Sequence, residues 1–279
     1  MPALPARGPS VRELGLLLPP GRMPLWRQGR PLKRWRYLGV YAPELMLCVG
    51  DARIGPVPRR WWAVAEPGGA LHESSSTLGA GVRLHAGGAR VDARGVRIEL
   101  ELGDSEAVET ASPVGDRGNY VWTRKRAGFA VRGVVIVEGR EHAVEGPYGF
   151  CDESAGYHPR HTVWRWSAGV GRTHEGRHVA WNLVSGVHDG PQASERSVWI
   201  DGEPREVGPV EFAADLSRVS FADGAALRFS EWATRVEETN LLLVRSFYRQ
   251  PFGSFSGGLP GAGGLAEGRG VMEHHDVWW

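Results

Sequence analysis

Lysine and cysteine are both scarce in this sequence. Lys33 and Lys125 are the only lysines, although lysine and arginine together number 33. A Walker-type phosphate loop needs a lysine inside a glycine-rich turn, so the scarcity leaves little room for that motif. The cysteines, Cys48 and Cys151, are too few for a disulfide framework. A reduced, cytoplasmic setting is therefore expected.

The sequence also lacks an excess of positive or negative charge, and it lacks long apolar runs. The 33 basic residues nearly balance 32 acidic ones, and the net charge is +1. Without a basic surplus there is no electrostatic footprint for nucleic acid. The chain lacks 18 consecutive apolar residues, and its first 21 residues lack a secretory apolar core. We expect neither a transmembrane segment nor export.

Most of the sequence consists of short runs of alternating apolar and polar residues, separated by turn residues. The segment GVRIELELGD, Gly95–Asp104, alternates apolar and polar residues, which is typical of a half-buried strand. Asp-Gly pairs at Asp201 and Asp223 mark hairpin turns. The fold class predicted is all-β, with two packed antiparallel lobes, a lipocalin-like barrel or sandwich, and little helix.

Composition also suggests where the two lobes begin and end. Residues 1–30 are predicted as an N-terminal extension, 31–148 as the first lobe and 149–279 as the second. The boundary is placed at the glycine-rich stretch Gly146–Gly149. Another glycine-rich stretch, Ser256–Gly270, is interpreted as a loop that leads to a C-terminal strand. That strand is expected to close the sheet of the second lobe.

Four separated segments resemble one bacterial protein family. They read KRWRYLGVYAPELMLCVGDARIGP, CDESAGYHPRHTVWRWSAGVG, AWNLVSGVHDGPQASERSVWIDG and GVMEHHDVWW, and they span most of the chain after Pro31. In this order they resemble the domain-of-unknown-function family 2804. The resemblance covers nearly the whole chain but implies no particular reaction.

A looser resemblance connects the chain to the carotenoid 1,2-hydratase and lipocalin-like group. Members of that group have two β-barrel-like lobes, a ligand cavity, and an acidic, histidine- and tryptophan-rich segment at the start of the second lobe. The segment from Asp152 to Trp166 is similar in character, although its spacing differs. This resemblance implies a fold and does not fix a function.

The loop at the start of the predicted second lobe concentrates chemically active residues. Cys151, His158 and His161 are compared first with zinc ligands. His274, His275 and Asp276 of the last strand could complete the set. Structural zinc sites use two close ligand pairs, whereas Cys151 stands alone and Cys48 lies in an apolar run. The sequence favours no metal site and no cofactor, and a metal-dependent enzyme remains the least favoured alternative.

The same loop also suits acid–base chemistry. Asp152 or Glu153 would act as a proton donor, with His158, His161 or His274 as an orienting or basic partner. A carboxyl group that packs against an aromatic wall has a raised pKa and can donate a proton near neutral pH. The alternative is structural: the carboxylates cap turns, and the histidines bond backbone carbonyls at a strand end.

Strand periodicity assigns faces to the residues that follow. From Thr162 to Trp166 the even-numbered residues, Trp164 among them, share a face that is predicted to line the core or a cavity. In VMEHHD the pattern places Met272, His274 and Asp276 on one side, which indicates either a polar cavity lining or a solvated face.

Twelve tryptophans are the strongest compositional feature. They indicate either a large β core or an aromatic-lined pocket for an apolar ligand. The candidate ligand-binding residues are Tyr157, Trp164, Arg165, Trp166, Trp181 and Trp278. The function predicted is binding of a lipid- or terpenoid-like small molecule. The main alternative is a cofactor-free hydratase, isomerase or cyclase.

Overall fold

The computed structural model of the chain describes residues 3–77, 79, 81–240 and 244–279. Strand dominates this part of the chain, and its one described helix is the short 3₁₀ segment Gly8–Glu13. It contains no helix long and apolar enough to cross a membrane. The all-β prediction with little helix is confirmed.

The first lobe is built around one large antiparallel sheet. Its strands and the N-terminal ones are β1 (Ala6–Arg7), β2 (Trp26–Arg27), β3 (Arg30–Pro31), β4 (Lys33–Tyr41), β5 (Met46–Ile54), β6 (Val57–Ala65), β7 (Leu71–Ser76), β8 (Val82–His85), β9 (Gly88–Ala93), β10 (Val96–Leu102), β11 (Val108–Val114), β12 (Asn119–Val137) and β13 (Arg140–Gly156). The strand order is β7-β6-β5-β4-β13-β12-β10-β9-β8. Strand β11 also pairs with β12, and β1 pairs with β11. Strands β2 and β3 form a separate two-stranded sheet.

The second lobe is a separate antiparallel sheet. Its strands are β14 (His161–Thr173), β15 (His178–Ser185), β16 (Ser197–Ile200), β17 (Glu203–Glu206), β18 (Val210–Phe212), β19 (Arg218–Phe221), β20 (Ala226–Asn240), β21 (Arg245–Leu259) and β22 (Gly263–Trp278). The order is β17-β16-β15-β14-β22-β21-β20-β19-β18, so the C-terminal strand lies at the centre.

Alternation explains why these segments form strands. In β10 the apolar residues Val96, Ile98 and Leu100 are buried, and the charged residues between them are exposed. Such a strand presents one face to a core and the other to water. The turn pairs at Asp201 and Asp223 connect β16 to β17 and β19 to β20, as the hairpin signal indicates.

Two glycine-rich stretches lie within strands. Gly149–Gly156 stays in the first sheet, paired with β4 and β12, so the predicted boundary after residue 148 falls inside β13. The chain changes sheets between Gly156 and His161. The predicted loop Ser256–Gly270 is wrong, because most of it extends β21 and β22. Glycine permits this close approach: a Cβ at Gly270 would lie 2.1 Å from the Ala168 carbonyl oxygen.

Three of the four apolar cores of the described chain organise the two lobes. One fills the first lobe, with Leu38, Leu47 and Phe129 among its members, and another fills the second lobe around Trp181. The third lies between the lobes, where Tyr37, Tyr41 and Phe150 of the first sheet meet Trp166, Phe252 and Val271 of the second. Both sheets are therefore covered on two faces over their central strands, and the lobes share one continuous apolar interface.

Gly169 in β14 offers a direct test of core packing. A Cβ at this position would lie 2.2 Å from Cζ2 of Trp181 and 2.6 Å from the Arg269 carbonyl oxygen. Because neither neighbour is a flexible side-chain end, Gly169→Ala should lower the free energy of unfolding by about 1–3 kcal/mol, as overpacking does. Urea unfolding would measure this. Gly208→Ala, whose Cβ meets nothing within 4 Å, is the control; equal losses would contradict the packing argument.

Candidate functional site

Glu273 in β22 is a carboxyl group buried between the two lobes. It is 7% exposed, and three neutral donors surround it. The indole nitrogen of Trp164 donates to Oε1 at 2.7 Å, and the Tyr248 hydroxyl and Gln250 amide each donate to Oε2 at 2.9 Å. Burial raises the pKa of Glu273 to about 7, although these hydrogen bonds oppose the shift. This carboxyl group can therefore donate or accept a proton near neutral pH.

A pair of tryptophans, one from each lobe, links Glu273 to a second carboxyl group. Trp35 of β4 and Trp164 of β14 lie with ring planes within 5° and centroids 6.5 Å apart. The indole nitrogen of Trp35 donates to Oδ2 of Asp152 at 3.3 Å. Each indole thus holds one carboxyl group, and burial raises the pKa of Asp152 as well. We call Trp35, Trp164, Asp152 and Glu273 the interlobe site.

Lys125 connects the Asp152 end of this site to the second lobe. Its Nζ lies 2.6 Å from Oδ1 of Asp152 and 3.3 Å from Oε1 of Glu195, and all three side chains are buried. Burial opposes the charge on Lys125, but the two carboxylates outweigh it and raise the pKa of the ammonium. For Glu195, the attraction of Lys125 outweighs burial and lowers the pKa. The triad is an ion-paired network across the lobe interface.

Two imidazoles border the same region. The ring of His158 is centred 5.0 Å from Trp35 and 6.0 Å from His188. Burial, and then the neighbouring His188, lower the pKa of His158 well below its ordinary value, so it is neutral at pH 7. Nε2 of His158 and both ring nitrogens of His188 are buried and have no hydrogen-bond partner in the part of the chain described. Unsatisfied buried nitrogens are unusual and favour a ligand-facing role.

His275 adds a third neutral imidazole. It packs 4.3 Å from Trp164 and 5.1 Å from Tyr248 by ring centroids, and Ser246 shares a hydrogen bond of 2.8 Å with its Nε2. Burial lowers the pKa of His275 to about 3. The surroundings of Glu273 therefore contain neutral rings, which leave its charge uncompensated.

Some of the predicted catalytic residues meet here and others do not. Asp152 and His158 belong to the region around Trp35. Glu153 lies on the opposite face of β13, in ion pairs with Arg36 and Arg124. His161 is half exposed and bonds Asp276 at 2.8 Å. These positions follow from strand alternation, because neighbours along a strand face opposite ways.

His274 lies on the face of β22 that turns away from Glu273. That face begins at Met272 in the second-lobe core and ends at Asp276, which is well exposed. Desolvation, followed by repulsion from Arg165, lowers the pKa of the half-buried His274. Arg165 shares this outer side, so the side chains of both residues point away from Glu273.

The predicted ligand-binding aromatics are divided among several places. Trp164 lies in the interlobe site, and Trp166 packs in the interface core, where its indole donates to Asn182 at 2.8 Å. Trp181 fills the second-lobe core. Tyr157 is buried beneath the N-terminal segment, and Trp278 is 44% exposed and stacks on the His161 ring.

Several residues of the region were not identified from the sequence. They are Trp35, Lys125, Glu195, Tyr248, Gln250 and Glu273. One local signal existed, since Glu273 and His275 share a strand face with Val271 and Val277, so the alternation places a carboxyl group and an imidazole between two valines. The remaining residues come from three other strands and from the loop between β15 and β16, and only folding brings them together.

The residues compared with zinc ligands are separated. Cys151 packs in the first-lobe core, and burial raises its pKa to about 11, which disfavours the thiolate that a metal needs. Within the described ranges, no three His, Cys, Asp or Glu residues are grouped so that they could hold a metal ion. Cys48 packs in the interface core.

A small cleft also opens between the lobes, away from these polar groups. Gly128 and Pro147 from the first lobe and Val179, Ala180 and Trp199 from the second line it. Its volume is about 20 Å³, which is room for about one water molecule. The chemistry therefore points to the interlobe site, and not to this cleft.

Comparison with known proteins gives the fold a context. A candidate AttH protein from Nitrosomonas europaea superposes with a TM-score of 0.50 at 12% identity, over 94% of this chain and 98% of that one. Kievitone hydratase from Nectria haematococca superposes with a TM-score of 0.51 at 11% identity, over 87% of this chain and 88% of its own. At such identity the likeness shows the fold alone, and the fold is lipocalin-like.

Sequence comparison gives a family. The profile of a domain of unknown function, DUF2804, matches residues 72–279. No curated protein sequence matches the chain.

Proposed function

The chain belongs to the DUF2804 family, and from this premise we propose that its interlobe site binds an apolar, unsaturated small molecule of lipid or terpenoid type. Support comes from the aromatic surfaces of Trp35 and Trp164, which offer flat apolar area beside a few polar groups. The neutral imidazoles of His158 and His275 add no charge that would repel such a ligand.

One observation favours a second candidate function, a cofactor-free hydratase or isomerase. Glu273 is buried, has a pKa of about 7 and is fixed by three hydrogen bonds. In its protonated form it would transfer a proton to one carbon of a double bond. The electron-rich face of Trp164 would stabilise the cation that forms on the other carbon. Kievitone hydratase, which has a similar fold, carries this reaction class in its name. Glu273 supports the proposal independently of that likeness.

Water would complete the hydration. It adds to the cation, and its proton passes to a base, so that alkene and water give an alcohol. His158 suits this role, because it is neutral at pH 7 and its Nε2 has no partner among the residues described. Asp152, held by Trp35 and Lys125, would orient polar groups of the ligand. Isomerisation would need only loss of a proton from the cation.

Binding and turnover are tested separately. Quenching of tryptophan fluorescence by oleic acid and by farnesol would report binding, and we expect Trp164→Ala to weaken it at least tenfold. Incubation in D₂O, followed by mass spectrometry, would reveal a product that has gained D₂O. We expect Glu273→Gln to bind normally but to lose turnover by about 100-fold, the typical contribution of a general acid.

Glu267→Gln is the matched control, because Glu267 lies on the same strand and pairs with Arg269 at the surface. If the probes bind but no deuterated product forms, the binding function would stand and the proposed hydratase function would be contradicted. If neither probe quenches the fluorescence of the wild-type or the Trp164→Ala protein, both proposed functions would be contradicted.

A further inference from the structure

The N-terminal segment carries an exposed apolar patch. Leu17, Leu25 and Trp26 are 55%, 69% and 63% exposed. Leu25 and Trp26 enter the small hairpin of β2 and β3, whose turn is formed by Gln28 and Gly29. We call the three apolar residues the hairpin patch. Leu25 and Trp26 are adjacent in the chain, and exposed large apolar side chains of this kind mark an interaction surface.

Two buried tyrosines fix this patch against the body of the protein. The Tyr120 hydroxyl donates to the Leu17 carbonyl at 2.7 Å, and the Tyr157 hydroxyl donates to the Pro24 carbonyl at 2.8 Å. The two tyrosine rings contact each other edge to face, with centroids 5.6 Å apart. The backbone on both sides of the patch is therefore held in place while the apolar side chains project into solvent.

The same stretch of sequence carries several arginines that form no ion pair within the described residues. From Leu14 to Pro43 the sequence contains no acidic residue. Arg27 donates to the Gly118 carbonyl and Arg30 to the Tyr157 carbonyl. Like Arg22 and Arg34, they form no ion pair with any carboxylate of the described chain. This stretch of the sequence therefore carries an excess of positive charge in a chain that is nearly neutral as a whole.

We propose that the hairpin patch docks the protein onto the surface of an anionic lipid bilayer. Tryptophan and leucine insert into the headgroup region, and nearby arginines are attracted to anionic headgroups. Three exposed apolar side chains are too few for a stable protein–protein interface, which needs about 1,000 Å² or more. The inference rests on exposure and charge, and it does not depend on the proposed ligand or reaction.

Vesicle flotation tests the docking. Full-length protein would be mixed with vesicles of phosphatidylcholine alone, and with vesicles that contain phosphatidylcholine and phosphatidylglycerol. We expect binding to the anionic vesicles that weakens as salt is raised. The double variant Leu25→Ser, Trp26→Ser should lose at least tenfold in partition, and Arg22→Gln with Arg34→Gln should lose the preference for anionic lipid.

Val57→Ser is the matched control, because Val57 is 52% exposed and lies outside the patch on β6; it should bind like the wild type. All variants change exposed residues, so unchanged thermal unfolding would verify their folding. Equal partition of the double variant and the wild type would overturn the proposal. The proposal would also be overturned if the protein failed to bind anionic vesicles and the double variant changed its oligomeric state on gel filtration. The patch would then be assigned to contact with a second copy of the chain.

Discussion

Glu273→Gln is expected to be more stable than the wild type at pH 8, by about 3 kcal/mol. The side chain has a pKa of about 7 in the folded protein, against an ordinary value of 4.5. Between these values the folded state holds a proton that the unfolded state has released. Wild-type stability therefore falls as pH rises from 4.5 to 7, and each pKa unit corresponds to about 1.4 kcal/mol.

Glutamine removes this ionisation and keeps the shape of the side chain. The Oε1 atom of Gln250 is buried without a partner among the described residues, so this amide can turn over and accept a hydrogen bond from the new amide. Tyr248 can likewise exchange the roles of donor and acceptor. We therefore expect the two proteins to be nearly equal in stability at pH 4.

Urea unfolding at pH 4, 6 and 8 would measure the difference. It should grow between pH 4.5 and 7 and then level off. Glu267→Gln, at the surface of the same strand, should follow the wild-type curve at every pH. A stability difference that stays constant with pH would show that Glu273 does not titrate in this range.

Lys125→Met is expected to destabilise the protein by about 3–5 kcal/mol. The change removes the only cation within ion-pair distance of both Asp152 and Glu195 in the described structure. These carboxyl groups are buried where the two lobes meet, and removal of one partner from a buried ion pair leaves an uncompensated charge. Methionine fills a similar apolar volume, so packing contributes little to the loss.

A charge-matched variant separates this effect from packing. When Asp152→Asn and Glu195→Gln accompany Lys125→Met, the region contains no net charge, and most of the lost stability should return. Urea unfolding near pH 7 would compare the wild type with both variants. A loss below about 1 kcal/mol for Lys125→Met would contradict a buried, ion-paired network.

Local patterns were sufficient to predict the strands and the fold class. The alternation in β10 and in Thr162–Trp166 depends only on neighbouring residues, because a strand sends successive side chains to opposite faces. Glycine patterns were less informative. Around Gly149 and Gly270 glycine allows close strand packing, whereas the sequence interpretation placed a boundary and a loop there.

The interlobe site combines predicted and unpredicted residues. Asp152, His158 and Trp164 come from the segment that the sequence singled out. Glu273 stands more than 100 positions away, and it touches Trp164 because β22 pairs directly with β14. Trp35 completes the arrangement from the other lobe. The alternation of residues along one strand does not indicate which distant strand will pair with it.

The sequence by itself determined an all-β chain, rich in tryptophan, with a polar segment before the strand that starts at His161. Only the tertiary structure decided which carboxyl groups are buried. The chemical character of a carboxyl group depends on the medium around it, and that medium is created when the two lobes close over each other. Glu273 lies inside this interface and Glu153 outside it.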